Sequence, residues 1–195
     1  MVRTVPLVAS CIAMTMTVAA FMHPHRNTVV QATGFIEPEP VTAPVPPSSG
    51  ALRDADRKLL TDALRSGRLE TSLASIAYTR STTDMVRQLA GHVRFDFAVA
   101  NRDLMALMAA HHTALPPEET AEAIAAVDKL GTLTGAALDH AYLLHLVRVH
   151  EAAIAQLNKT SADRAPDIGA YAERMLPMLQ DHLDRARELK LIKGW

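Results

Sequence analysis

Apolar side chains recur every three or four positions over four long stretches of this chain, the spacing of one face of an α-helix. The first stretch runs from about Arg53 to Tyr78, with Leu60, Ala63, Gly67, Ala74 and Ala77 in one stripe. The second runs from about Thr83 to His111 and carries Val86, Leu89, Val93, Phe97, Ala100, Leu104 and Leu107. The third, from about Gly135 to Asn158, buries Tyr142, Leu146, Ala153 and Leu157. The fourth, from about Pro166 to Lys190, buries Ile168, Ala172, Met175, Leu179, Leu183 and Ala186. Strand-like alternation is absent.

Punctuation residues mark the ends. Ser81-Thr82-Thr83-Asp84 offers a capping box, in which a hydroxyl satisfies free amides at the next helix start. Leu115-Pro116-Pro117 closes the second helix, and Pro117 suits the first turn of a short helix from Glu118 to Leu130 that Gly131 stops. Pro177 removes an amide donor inside the last helix and predicts a kink.

The pattern is all-α. About 23 residues join the second and third long helices, enough to cross the bundle's length, whereas the other connections are short. The expectation is a ferritin-like four-helix bundle over residues 51–192, with the short extra helix in that crossover.

Upstream the chain changes character. Arg3 precedes an apolar run from Thr4 to Met22 ending in small residues, Val18-Ala19-Ala20, so residues 1–22 read as a secretory signal. The run also approaches the ~20 residues that span a bilayer, so a retained membrane anchor is the alternative. Val8-Ala9-Ser10-Cys11 resembles a lipoprotein cleavage box, but too few apolar residues precede it and a long apolar tract follows. Either route implies export, to the periplasm or cell envelope of a Gram-negative bacterium. Residues 23–50 contain Pro24, Pro38, Pro40, Pro44, Pro46 and Pro47 and read as an extended, solvated linker. His23-Pro24-His25 within it is an incidental pair rather than a metal site. Cys11 is the single cysteine, so a chain without its first 22 residues has no thiol to protect in an oxidising compartment.

Charge narrows the partners. Lys and Arg total 20 against 21 Asp and Glu, and aromatics are 4% of the chain. No field of one sign and no basic patch with interleaved aromatics exists, so nucleic acid is not an expected partner. A nucleophile elbow, a phosphate-cradling glycine loop, a zinc-type cysteine cluster and a His-Glu-x-x-His motif are all missing from the sequence.

Several motifs, in this order, resemble one bacterial family. They are Leu52-Arg53-Asp54-Ala55-Asp56, Gly67 with Glu70, Ala100-Asn101, Leu138-Asp139-His140-Ala141-Tyr142, His150-Glu151-Ala152 and Leu176 through Leu183. The family is an exported domain of unknown function, often labelled an outer membrane protein, and the resemblance covers about residues 52–190. It implies a ferritin-like bundle and export, and no activity. Members carry an Asp-His pair in the second helix, where this chain reads Asp96-Phe97, so Phe97 replaces the histidine that the family would supply to a shared metal site.

The candidate chemistry lies on the apolar stripes. At 100° per residue, Glu70, Phe97, His150 and His182 each fall within about 40° of a stripe centre. Heights at ~1.5 Å per residue place His150 and His182 about 12 Å apart along the axis, with Glu70 level with His182 and Phe97 level with His150. Two readings follow for Glu70 and His182. One is a buried carboxylate–imidazole pair that satisfies both groups and fixes register. The other is a metal site of Glu70, His150 and His182, with His145 as an extra ligand, whose oxygen and nitrogen donors suit iron, copper(II), zinc or manganese. The chain has no Glu-x-x-His, so di-iron chemistry of the ferritin type is not expected. His140, His145 and His92 lie off the stripes as boundary or surface residues. His111-His112 close the second helix, where positive charge suits the dipole. Met105, Met108, Met175 and Met178 could suggest copper(I), but at helical spacing they read as core filler. The sequence thus favours a non-enzymatic envelope bundle with a structural, interaction or stress-related role. A metal-binding or redox protein is the alternative.

Overall fold

The structure is a computed structural model and describes residues 52–159 and 164–195. The signal or anchor, the proline-rich linker, Cys11 and the His23/His25 pair lie outside the described residues. Among those described, the chain forms five helices and no strand. Helices α1 (Asp54–Arg80) and α2 (Asp84–Ala110) make one hairpin, and α4 (Gly135–Lys159) and α5 (Pro166–Lys193) make another. Helix α3 (Ala121–Gly131) lies in the connection between them.

The helix ends follow local chemistry. Asp54, Asp56 and Asp84 put negative charge in the first turns of α1 and α2. Pro166 opens α5, where its missing amide would be unpaired anyway, and Gly194 ends it in the left-handed conformation at φ 70°. Two expected caps differ. Thr83 does not cap α2 with its hydroxyl but donates it across the bundle to Asp139 Oδ2 at 2.6 Å. Helix α3 starts later than Pro117, because the Thr120 side chain accepts from the Ala123 amide at 3.2 Å and sets the N-terminus there. Helix α5 runs on through Pro177 to Lys193.

Contacts fix the directions. Thr83, before α2, bonds Asp139 near the start of α4, and Phe97 further along α2 meets His150 further along α4, so these helices run parallel. Arg80 donates to the Leu133 carbonyl while Glu70 meets His145, so α1 and α4 run antiparallel. His111–Asp167 and Asp96–His182 make α2 and α5 antiparallel. The order is up, down, down, up, which only the long crossing between α2 and α4 permits. Each of α1 and α5 packs beside α2 and α4, and Phe97–His150 is a contact across the diagonal.

Leu60, Leu64, Leu104, Leu138, Leu143, Leu146 and Ile168 are wholly buried in the core. A Cβ on Gly67 would collide with the Asn101 side chain, so α1 and α2 approach as closely as they do only because position 67 has none. Met108 is fully buried and Met175 and Met178 pack against the core, which fits the filler reading. Ala63, Ala153 and Met175, expected inside, are partly buried against the core and also line a cleft between α1 and α4.

Candidate functional site

Two neighbouring sets of buried polar residues occupy the bundle. The first crosses from α2 through α5 to α4. His182 Nε2–H donates to Asp96 Oδ2 at 2.9 Å, which leaves His182 Nδ1 to accept from His150 Nε2–H at 3.3 Å. Both imidazoles are fully buried, whereas the Asp96 side chain is 37% exposed, so the chain of bonds leads from solvent into the core. Phe97 packs against both rings, at centroid distances of 5.8 Å to His150 and 6.2 Å to His182.

This setting keeps the rings uncharged. Burial pushes His150 down to about 3, and the neighbouring His182 pushes the same way, against a weaker pull from the Leu146 carbonyl. Burial also lowers His182, opposed by the hydrogen bond and charge of Asp96. At neutral pH both rings are neutral hydrogen-bond relays, with the Asp96 carboxyl at the solvent end.

The second set joins α1 to α4. His145 Nε2–H donates to Glu70 Oε1 at 2.6 Å, with Glu70 fully buried. Glu70 Oε2 and the Tyr142 hydroxyl, both buried, have no protein partner. Burial, with the nearby Glu70 charge, holds the Tyr142 hydroxyl well above its ordinary value. A third buried pair, His111 Nε2 with Asp167 Oδ2 at 2.5 Å, ties the end of α2 to the first turn of α5.

These positions correct the pairing read from the sequence. Glu70 meets His145 rather than His182, and His182 takes Asp96. His150 and His182 touch instead of standing about 12 Å apart. Pairing His150 with His182 sets Pro166 about 10 Å beyond Lys159 along the bundle, seven residues of helical rise. His140 and His92 are surface residues as expected, with His140 against the Trp195 ring and His92 accepting from Arg185 at 2.9 Å. His111, read as a dipole partner, is instead nearly buried against Asp167. Sequence reasoning missed Asp96, Asp139 and Asp167 as buried or half-buried partners. The last had a readable signal, an acid opening one helix and a histidine closing another.

A metal fits this arrangement only in part. Two nitrogens each ~2.0–2.1 Å from a tetrahedral ion stand about 3.3 Å apart, the separation of His150 Nε2 and His182 Nδ1. Asp96 on the other His182 nitrogen is the outer carboxylate that orients a metal-bound imidazole. However, no group of three His, Cys, Asp or Glu among the described residues could share an ion. Phe97 fills the space beside both rings, and Glu70 is held by His145.

Residues 41–189 match the family described as Domain of unknown function (DUF4142). The chain belongs to that family. This DUF4142 protein is also similar in fold to a crystal structure of a DUF305 fragment from Deinococcus radiodurans. That likeness has a TM-score of 0.64 at 17% identity and covers 72% of this chain and 97% of that one. At that identity the likeness shows a shared helical fold and nothing about activity. No curated protein matches the DUF4142 chain.

Proposed function

We propose that this DUF4142 protein is an exported, non-enzymatic helical module of the cell envelope that works by binding. The observation that carries the non-enzymatic reading is the mutual pairing of its buried acids and imidazoles across the two hairpins. Glu70 with His145, Asp96 with His182 and Asp167 with His111 are each committed to a structural partner. Export is supported by Arg3 and the apolar run from Thr4 to Met22, which would be removed as a signal or kept as a membrane tether. Cell fractionation with N-terminal sequencing tests the address. A periplasmic protein beginning after about residue 22, or a membrane-bound one retaining Met1, supports export, and a cytoplasmic chain retaining Met1 refutes it. A turnover reaction with a defined product, lost in His150→Ala, would refute the non-enzymatic reading.

One observation favours a second reading, a transition-metal site on His150 and His182: the 3.3 Å separation of their facing nitrogens, with Asp96 behind. Metal analysis of protein purified without an affinity tag decides it. One metal per chain, lost in His150→Ala and His182→Ala but kept in Glu70→Gln, establishes this reading, and a metal content indifferent to both histidines removes it.

A further inference from the structure

The face between α1 and α4 is closed along one half and open along the other. Near the crossing, Glu70 bonds His145, and Arg80 reaches the Gly131 and Leu133 carbonyls beside α3. Toward the opposite end the walls separate around a cleft of about 830 Å³. Small side chains thin both walls: Ala55 and Ala63 on α1 and Ala152 and Ala153 on α4 stand among the larger Leu59, Val149 and Leu157, so the walls do not interlock there. The floor is apolar, built from Phe97, Tyr171, Met175 and Leu179 with the edge of His150.

The rim has one sign in excess. Arg53 is paired with Asp56 at 2.9 Å and Lys58 with Asp62, so these four lining charges cancel. Arg164 lies within the field of Asp56 and donates to the Leu157 carbonyl at 2.8 Å. Arg148 and Lys159, both exposed on the α4 wall, form no ion pair with any described residue. An apolar trough with surplus positive charge along one wall is complementary to an amphiphile with an anionic head.

We propose that the cleft between α1 and α4 binds one saturated monocarboxylate, its alkyl chain on the alanine walls and the Phe97–Leu179 floor and its carboxylate at Lys159. Ala55 to Ser66 spans about 16 Å of helix, the length of about a dozen extended methylenes, so laurate is the probe of matching size. Placing the head at Lys159 puts it at the end of the bundle where Arg164 bonds the Leu157 carbonyl, while Arg148, about 16 Å along α4, stands beside an uncharged His150 at the tail end of the trough. This proposal rests on the binding-module reading and names its ligand class.

The test is calorimetric titration of the full chain with laurate below its micellar concentration. One laurate per chain is expected. Each two-carbon shortening to decanoate and octanoate weakens binding roughly tenfold, because each methylene is buried. Dodecyltrimethylammonium, with the same tail and the opposite head, binds at least tenfold more weakly. Ala63→Trp and Ala153→Trp fill the trough and abolish binding with circular dichroism unchanged, and Lys159→Glu weakens it about tenfold. Absence of saturable binding overturns the proposal, as does binding that survives both tryptophan variants, or uptake only by phosphatidylglycerol vesicles with none of monomeric laurate. Such a failure leaves export and the non-enzymatic reading standing, whereas a genuine turnover reaction removes those and not the measured laurate affinity.

Discussion

Replacing His150 by leucine should flatten the acid sensitivity of the fold. In the native state burial holds this ring's pKa at about 3, while in the unfolded chain it returns to its ordinary value near 6.5. The folded state therefore binds fewer protons than the unfolded state between those values, and stability falls as the pH is lowered. The full contribution is present above pH ~6.5 and is lost progressively as the pH drops toward ~3. From pH 7 to pH 5 the unfolded ring gains its proton and the folded ring does not, which costs about 2 kcal/mol at ~1.36 kcal/mol per pK unit. His182 adds a loss of the same sign, because burial lowers it too. His150→Leu leaves His182 Nδ1 without its donor and lowers stability at pH 7 by about 1–3 kcal/mol, but its further loss on acidification should be about 2 kcal/mol smaller than the native chain's. Urea unfolding followed by circular dichroism at pH 7, 6 and 5, with a constant denaturant slope, measures both differences. If the variant and the native chain lose the same stability between pH 7 and 5, the ring is solvated or charged in the fold and the reasoning fails.

Gly67→Ala should cost about 1–2 kcal/mol net, the displacement of Asn101 from beside Thr71 outweighing the ~1 kcal/mol that alanine gains inside a helix, and thermal unfolding would show it as a lowered midpoint. A midpoint raised by the full helix-propensity gain of ~1 kcal/mol would mean that α1 and α2 are not in the close contact described. His111→Ala should cost about 2–4 kcal/mol, because Asp167 remains buried without its imidazole, keeping the Ile168 amide on Oδ1 and its place at the α5 N-terminus. A loss below about 0.5 kcal/mol, the size expected at a surface position, would show the pair to be solvated. Phe97→His should create a three-imidazole cluster with His150 and His182. Zinc affinity should rise at least tenfold over the native chain in a competition titration with a chromophoric chelator, and an unchanged affinity would show that the three rings cannot converge.

The period of the apolar stripes made the helices legible, and the length of the second connection made the crossover legible, because both are properties of the chain near each residue. The partners of the core histidines depend on how far α5 slides along α4. That slide is set by how the two helices dock, with His150 level with His182, which no stripe or cap reports. Asp96 escaped notice because it sits one position off the stripe, where an acid reads as surface even when its carboxylate reaches a buried ring. The cleft was hidden for a related reason. Ala63 and Ala153 in a stripe look like residues that let helices touch, and only the arrangement of all four helices decides whether they close or stand apart.

The buried acid–histidine bonds all run between the two hairpins and none within either. Glu70–His145, Asp96–His182 and His111–Asp167 join one half of the molecule to the other, and so does Thr83–Asp139. Aliphatic faces alone would let the halves shift past one another by a turn, whereas four directional bonds admit a single docking position. The molecule is in effect a heterodimer of helix pairs strapped together by residues 111–134. Two copies that traded halves would recreate every one of those bonds, so exchange of a hairpin between chains is the assembly error, or the assembly route, that this architecture leaves open.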